Sequence, residues 1–225
     1  MSKILELFTK IEASKVIALD IDYSQYIALD LSTTNAELER YSLETAADYE
    51  VFIQNYLNNN NAKIAYGGYI ETRNLYKRSF VFNSQNTDER NIHIGLDLWI
   101  NEQAAIYSTL DGKIHSFQNN TALGDYGPTI IIEHEIENIK FHTLYGHLSE
   151  ASLIGKSVGD LVKKGEQIAT LGLPPTNGDY APHLHFQIII DMENKTGDYP
   201  GVCNIKNLEY YSMNCPDPNL LLKIK

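Results

Sequence analysis

The sequence predicts a mainly β protein, a layered β-sandwich, with a small α/β extension at its N-terminus. From about Thr87 onward, short strand-like segments alternate with Gly, Asn, Asp and Pro residues, which is typical of an all-β layered unit. The segments TIIIEHE (129–135) and KFHTLYGHLS (140–149) flank a short polar link and are predicted to pair as a hairpin. We therefore divide the chain into an extension, residues 1–85, and a β domain, residues 86–225.

The extension mixes helical and strand-like patterns. Residues 42–57 carry apolar side chains at helical spacing, and the asparagine run 58–61 that follows should end this helix. Residues 15–32 read as two strand-like stretches around a polar turn, and residues 62–76 are strand-like again. Within the latter, Gly67-Gly68 indicates a bulge or a close backbone approach. The tail after Ile190, rich in Pro, Gly and Asn, is expected to pack irregularly over the core.

Charge and composition exclude several classes of partner. The chain has 18 Lys and Arg against 29 Asp and Glu, and this net charge of −11 disfavours nucleic acid and anionic membranes as partners. Charged residues interrupt the N-terminal apolar pattern, so no signal peptide or transmembrane segment is predicted, and the expected location is cytoplasmic unless export is non-classical. Cys203 and Cys215 are expected to be reduced thiols without a metal role.

Two histidines in APHLHFQI (181–188) stand out in a predicted strand. Alternate side chains of a strand point to opposite faces, so His183 and His185 share one face, and the apolar residues between them face the other way. A pair of strand histidines is, by itself, more often structural than functional. Whether this pair has a functional role depends on whether other candidate ligand or catalytic residues lie beside it.

Two further histidine motifs precede this strand. In NIHIGLDLWI, His93 and Asp97 flank Gly95, but residues four apart in a straight strand are about 13 Å apart, too far to bind one ion. The two could share a metal only if the chain bends at Gly95, or if His93 lies on the loop before the strand. In TLYGHLS, His147 follows a glycine. Each motif alone has an ordinary structural explanation, but their joint occurrence favours a functional site.

The motifs HIGLD, GPTIIIEH, TLYGHLS, VGDLVKKGEQIATLG and APHLHF, in this order, resemble the lysostaphin-type zinc endopeptidases, which cleave peptidoglycan cross-bridges and stems. This resemblance covers about residues 90–190. The segments YGGYIETRNLY, LDGKIHSFQNN, GDYPGV and CPDPNLLL extend it further. With them, nearly the whole chain is similar to the peptidase-like segment found between a kinase-like and an aminotransferase domain in some multidomain proteins.

The resemblance implies a barrel-sandwich-like core and a zinc site. Carried over by position, His93, Asp97 and His185 become the Zn²⁺ ligands, and His147 and His183 become catalytic residues that deprotonate water and stabilise the developing oxyanion. Two histidines and a carboxylate leave a coordination position open, as in catalytic zinc sites. The implied function is a metalloendopeptidase that hydrolyses a peptide bond in peptidoglycan-like or glycine-containing peptides.

Several alternatives stay open. The loop PPTNGDYAP before HLH is bulkier than the small residues usual in the family, which argues against the family's cross-bridge specificity. Secreted relatives have an export signal and none is predicted here, which favours a soluble small peptide, an internalised wall fragment or an unusual amide as substrate. The scaffold could instead be a non-catalytic module that binds zinc or a peptide. We also consider that Gly67-Gly68 enters the substrate groove as a lid, in which case deleting residues 1–85 would raise activity. His115, His134 and His142 are expected to have structural or supporting roles, and the oligomeric state is not indicated.

Overall fold

The structure is a computed structural model that describes residues 3–74, 89–100 and 103–225, and the described chain is mainly β, as predicted. Its strands are β1 (Tyr26–Ala28), β2 (Ile64–Gly67), β3 (Glu71–Thr72), β4 (Ile92–His93), β5 (Leu96–Ile100), β6 (Ala105–Tyr107), β7 (Gly112–Asn120), β8 (Gly127–Ile136), β9 (Ile139–Gly146), β10 (Leu161–Val162), β11 (Gln167–Thr170), β12 (His183–Ile189) and β13 (Val202–Cys203). Its α-helices are α1 (Lys3–Lys10), α2 (Ala46–Asn59), α3 (Leu208–Asn214) and α4 (Asn219–Leu222).

One large sheet organises the molecule. Eight strands are hydrogen-bonded in the order β1-β2-β5-β12-β9-β8-β7-β10, and all neighbours are antiparallel except β1 and β2. Two smaller sheets, β11-β6 and β13-β4-β3, complete the β-structure of the described residues. The middle of the large sheet, β5-β12-β9, therefore joins three segments that are far apart in the sequence.

The main core lies between the large sheet and the β11-β6 layer. Leu184, Phe186 and Ile188 of β12 pack in this core with Ile106 of β6 and Ile168 of β11. Because side chains alternate along a strand, the histidines of β12 face the other side of the sheet. The predicted layering of the β-sandwich and the predicted face of its histidines are thus both observed.

Strands β8 and β9 form the predicted hairpin. Ile136 pairs with Ile139, so the turn consists of Glu137 and Asn138 alone. Both turn residues have positive φ, 52° and 60°, which is the requirement of the two-residue turns that match the twist of a hairpin. The hairpin carries β9 into the middle of the sheet, where it pairs with β12.

The described part of the N-terminal extension is built onto the large sheet. β2 pairs with β5, and β1 extends the sheet by one more strand. The predicted helix is α2, which begins at a capping box between Thr45 and Asp48 and ends at Asn59 in the asparagine run. The predicted strand over 62–76 corresponds to β2 and β3, although its last residues lie outside the described ones. The boundary at residue 85 also lies outside them and stays a prediction.

Two segments differ from the sequence-based expectation. Residues 15–32 contain one strand, β1, instead of two. The first predicted strand is not formed, because Ile17 is buried but makes only an isolated β-bridge, to Ile106. The tail contains α3 and α4, and Leu221 and Leu222 of α4 enter the main core. No helix in the described ranges combines the length and apolar character needed to cross a membrane.

Candidate metal centre

The sheet brings His93, Asp97 and His185 together. Asp97 on β5 lies directly opposite His185 on β12 in the antiparallel register, and His93 arrives from β4, which belongs to the small sheet with β3 and β13. The chain bends at Gly95 between β4 and β5. This bend is the one that the spacing of His93 and Asp97 requires.

Gly95 also makes room for the imidazole of His185. A Cβ atom at position 95 would lie 2.4 Å from Cε1 and 2.5 Å from Nε2 of His185. Gly95 is not among the residues with positive φ, so its backbone conformation is open to any residue. Glycine is needed here because of the close approach of the ring.

The three side chains form a compact, buried group. His93 Nε2 lies 3.3 Å from Asp97 Oδ1, His185 Nδ1 lies 3.2 Å from the same oxygen, and the two nitrogens are 2.9 Å apart. A tetrahedral zinc site with metal–ligand distances of ~2.0–2.1 Å has edges of about 3.3 Å between ligand atoms. The three atoms therefore match one face of such a tetrahedron. Within the described ranges, no other group of three or more His, Cys, Asp or Glu side chains is arranged to share a metal ion.

Hydrogen bonds on the outer side of each imidazole fix which nitrogen faces the centre. His93 Nδ1 donates to the carbonyl of Gly68 at 2.9 Å, and His185 Nε2 donates to Oε1 of Gln187 at 2.9 Å. The Gln187 amide is itself oriented, because its NH₂ group donates to the carbonyl of Pro200 at 3.1 Å. The inward nitrogens of neutral imidazoles then carry lone pairs. Two lone pairs and a carboxylate oxygen converge without a proton between them, an arrangement that a bound cation would stabilise.

The pKa shifts of His93 and Asp97 agree with a neutral imidazole beside an ionised carboxylate. Burial lowers the pKa of His93 to about 4, so its imidazole is neutral at pH 7. Burial alone would raise the pKa of Asp97, but His93, Arg73 and His183 around it hold the pKa of this carboxyl well below its usual range. Arg73 Nη1 donates to Asp97 Oδ2 at 2.6 Å, which leaves Oδ1 facing the two imidazoles.

His147 and His183, the two residues predicted to be catalytic, lie beside this group. Their ring centroids are 4.3 Å apart, and His183 Nε2 lies 3.7 Å from Asp97 Oδ1. His147 Nδ1 donates to the carbonyl of Asn177 at 2.7 Å, and His183 Nδ1 donates to that of Ala181 at 2.7 Å. Each Nε2 therefore carries a lone pair. Burial lowers the pKa of both residues, for His147 well below the ordinary value with His183 and His185 adding to the effect.

The backbone of His147 is held in an uncommon conformation. Its φ of +61° lies in the left-handed region, which costs a non-glycine residue free energy. The amide of His147 donates to the carbonyl of Tyr126 at 2.8 Å, and its carbonyl accepts from the amide of Gly172 at 2.8 Å. These two bonds fix the point at which β9 ends and the imidazole turns toward His183.

A cavity of about 190 Å³ opens onto the histidine group. The rings of Tyr126, Tyr180 and Tyr199 line it together with charged side chains that include Arg90 and Asp198. The Tyr126 hydroxyl lies 3.4 Å from His185 Nε2. The cavity therefore offers aromatic walls and both signs of charge beside the three converging ligand atoms.

The remaining histidines do not line this cavity. His134 Nδ1 donates to the carbonyl of Asp111 at 2.9 Å, and its Nε2 accepts from the Thr143 hydroxyl at 2.8 Å. His115 and His142 contact each other edge to face, with centroids 4.8 Å apart. These contacts support the structural roles expected for all three.

The structure corrects the lid hypothesis. Gly67 pairs with Asp97 in the β2–β5 register, and the Gly68 carbonyl accepts from His93. Neither glycine lines the cavity, so the dipeptide supports the site through the sheet and does not cover it. Deleting residues 1–85 would remove β1 and β2 from the sheet, and we expect a loss of structure instead of a gain in activity.

Sequence reasoning missed the supporting roles of three residues. Gln187 could have been found, because it follows His185 by two positions and so lies on the same face of β12. Gly68 was singled out for a close backbone approach, but as part of a lid and not as the acceptor for His93, and Arg73 gave no signal. Both lie more than twenty residues from Asp97 along the chain, and the pairing of β2 with β5 and of β3 with β4 brings their segment to the site.

Comparisons with known proteins place the histidine motifs in a family. Residues 91–197 match the profile of Peptidase family M23. A search of curated proteins found no match. The narrower likeness to a segment of aminotransferase fusion proteins stays a prediction.

Several solved structures are similar to this chain, all at low sequence identity and low TM-score. The LytU structure is 25% identical over 62% of this chain and 79% of its own, with a TM-score of 0.41. The catalytic domain of the antimicrobial peptidase lysostaphin from Staphylococcus simulans is 23% identical over 75% of this chain and 99% of its own, with a TM-score of 0.40. A complex of SpoIIIAH and SpoIIQ matches at 24% identity over 51% and 69%, with a TM-score of 0.35. The assignment therefore rests on the profile and the motifs, and by these residues 91–197 form a lysostaphin-type domain of Peptidase family M23.

Proposed function

We propose that this protein is a zinc-dependent metalloendopeptidase that hydrolyses a peptide bond in peptidoglycan-like or glycine-containing peptides. Membership of the family supports a metallopeptidase in general. The observation that carries the proposal is the convergence of three electron-pair donors, His93 Nε2, Asp97 Oδ1 and His185 Nδ1, within 2.9–3.3 Å of one another. With the outer nitrogens of both imidazoles protonated, all three atoms present lone pairs to one point, so a divalent cation is the natural occupant.

These three atoms would hold the zinc ion. When bound, the ion would supply Lewis-acid chemistry, because it polarises a carbonyl group and lets water lose a proton near pH 7. The protein holds the ligands in place from outside: the Gly68 carbonyl orients His93, the Gln187 amide orients His185, and Arg73 orients Asp97. Such outer contacts fix the tautomer and the ring position of a metal-binding histidine.

His147 and His183 would move the protons of the reaction. Each keeps its Nδ1 proton on a backbone carbonyl, so each presents an Nε2 lone pair that can accept a proton from the attacking water. A protonated imidazole can then stabilise the developing oxyanion or donate the proton to the leaving amine. Burial lowers the pKa of both residues, which keeps both imidazoles neutral at pH 7.

The shape of the cavity supports a substrate with small side chains. At about 190 Å³ it is smaller than the ~300–1,000 Å³ usual for ligand pockets, and tyrosine rings form its walls. A glycine-containing peptide needs little room on either side of the scissile bond. The hydroxyl of Tyr126, close to His185, can donate a hydrogen bond to a carbonyl of such a peptide.

Zinc content and turnover together test the proposal. We expect about one zinc per chain in the wild type and none in His185→Ala, measured by elemental analysis after purification without chelator. His147→Ala and His183→Ala should keep the zinc but lose ~10²–10⁴-fold in kcat/KM on glycine-rich peptides and wall fragments. His115→Ala, which lies on β7 away from the cavity, is the matched histidine control and should behave as the wild type.

Each alternative outcome has a clear meaning. Absence of zinc from the wild type would reject the proposed metal site. Zinc without cleavage of any of these substrates would support a binding module on the peptidase scaffold. Cleavage that survives both His147→Ala and His183→Ala would reject the proton-transfer roles while keeping the metallopeptidase.

A further inference from the structure

Arg73 is a buried cation at the metal centre that comes from outside the family match. It follows β3, whereas the matched segment begins at residue 91. Its side chain is 2% exposed. Burying a guanidinium costs considerable free energy unless anions and hydrogen bonds compensate it. The groups that bind the guanidinium therefore indicate the role of this buried charge.

Two carboxylates hold the guanidinium. Arg73 Nη1 donates to Asp97 Oδ2 at 2.6 Å, and Arg73 Nε donates to Glu71 Oε2. Glu71 is in turn tied to the start of the extension, because its Oε1 accepts from the amide of Leu31 at 3.1 Å. A rigid chain of charge-assisted bonds thus runs from the extension to the carboxylate on β5.

These hydrogen bonds give the two carboxylate oxygens of Asp97 different partners. Arg73 occupies Oδ2, whereas Oδ1 lies 3.3 Å from His93 Nε2 and 3.2 Å from His185 Nδ1. A carboxylate free to rotate could present both oxygens to a metal ion. With Oδ2 held by a short ionic hydrogen bond, Asp97 would present one oxygen to a bound ion and would leave room for substrate.

Arg73 also contacts the wall behind a proposed catalytic histidine. Its guanidinium carbon lies 5.7 Å from the ring centroid of Trp99, and the imidazole of His183 stacks on Trp99 with centroids 5.6 Å apart and planes 25° apart. Trp99 and His183 are also direct neighbours in the β5–β12 register. Arg73 thus contacts both the proposed metal ligand Asp97 and Trp99, the ring on which His183 stacks.

We propose that Arg73 is a positioning residue of the metal centre, which holds Asp97 as a one-oxygen ligand and makes the N-terminal extension an integral part of the site. The proposal rests on the proposed zinc function. It predicts that the extension acts on the metal through Asp97, a role that the matched segment alone does not contain.

The test uses the full chain with Zn²⁺ and Co²⁺ as probes. Arg73→Lys keeps a positive charge but lacks the fork that bonds two carboxylates at once. The double variant Glu71→Gln with Arg73→Gln removes both charges together, so no unpaired ion is left from this pair. Arg40→Lys is the matched control, because Arg40 is an exposed arginine that pairs with Glu37, three residues before it in the chain.

Zinc affinity, measured by competition with a chromophoric chelator, should fall ~10–100-fold in both Arg73 variants and stay unchanged in Arg40→Lys. The visible absorption spectrum of the Co²⁺-loaded protein should change from a four-coordinate to a higher-coordinate form when Oδ2 of Asp97 is released. A residue with a purely structural role would not produce this spectral change in a folded protein.

Clear results would overturn the proposal. A folded Arg73→Lys or double variant, checked by near-ultraviolet circular dichroism, with wild-type zinc affinity and an unchanged Co²⁺ spectrum would reject it. If both variants fail to fold, Arg73 belongs to the fold alone and the positioning role is also rejected. If the wild type binds no zinc, the proposed function itself fails, which is a different result from wild-type binding that Arg73 does not influence.

Discussion

Replacing Gly95 with alanine should disable the proposed metal centre while leaving the sheet in place. The added Cβ would lie 2.4 Å from Cε1 and 2.5 Å from Nε2 of His185. Non-bonded carbon atoms approach to about 3.5 Å, so the imidazole must withdraw by about 1 Å. The imidazole of His185 cannot withdraw freely, because its Nε2 is hydrogen-bonded to Gln187 and its ring packs against Tyr126 with centroids 5.0 Å apart.

A shift of this size is large for a metal ligand. Metal–ligand distances hold to about 0.2 Å, so a displacement of about 1 Å takes His185 Nδ1 out of the ligand triangle. A misplacement of about 1 Å in a catalytic group can lower the rate ~100-fold. We therefore expect at least that loss in turnover, a comparable loss in zinc affinity, and a stability cost of about 1–3 kcal/mol from overpacking.

Chelator competition and turnover measure the effect, with urea unfolding to check stability. Gly155→Ala is the control, because a Cβ at that position meets nothing within 4 Å and any cost arises from its positive φ. That variant should lose stability but keep its zinc affinity. If Gly95→Ala folds and binds zinc within threefold of the wild type, the argument from the close approach of His185 is wrong.

Three further predictions address the surroundings of the site. Gln187→Leu should weaken zinc binding ~10–100-fold because His185 loses its acceptor, whereas Gln187→Glu keeps an acceptor and should weaken binding less; chelator competition decides. Trp99 is the single tryptophan and stacks on His183, so its fluorescence should change when Zn²⁺ is titrated into the metal-free protein and stay constant in His185→Ala. Burial lowers the pKa of His134 to about 4, so between pH 6.5 and 4 the unfolded chain binds a proton that the folded chain does not. His134 alone should therefore lower the free energy of unfolding of the metal-free protein by up to about 3 kcal/mol as the pH drops through this range, and the other buried histidines should add to the fall. Urea unfolding at several pH values should show a shallower fall for His134→Gln; an equal slope would contradict the assignment.

The histidine face of β12 was predictable because a strand has a fixed period. His183 and His185 lie on one face and Leu184 on the other wherever the strand sits, since alternation depends only on the local backbone. The hairpin of β8 and β9 was predictable for a similar reason, because its turn is local. The helical tail was not, since short helices such as α4 are stabilised mainly by burying Leu221 and Leu222 in the core.

The bend at Gly95 could be stated from the sequence only as a condition. The spacing of His93 and Asp97 requires a bend if they share a metal, but the reason for glycine is the ring of His185, ninety residues away in the chain. Close approaches of this kind depend on sheet register. The register of β5 against β12 is a property of the folded molecule.

The sequence by itself determined the order of the three motifs and the alternation on β12, because both follow from the chain itself and from local strand geometry. The five residues of the predicted site were implied by the resemblance of these motifs to the lysostaphin-type peptidases, and their roles stay a prediction. Only the tertiary structure decided which groups orient them: the Gly68 carbonyl on His93, Gln187 on His185, and Arg73 on Asp97. The physical reason is that a buried charge or imidazole takes its partner from whatever segment the sheet places beside it, and here the pairing of β2 with β5 supplies that segment from the N-terminal extension.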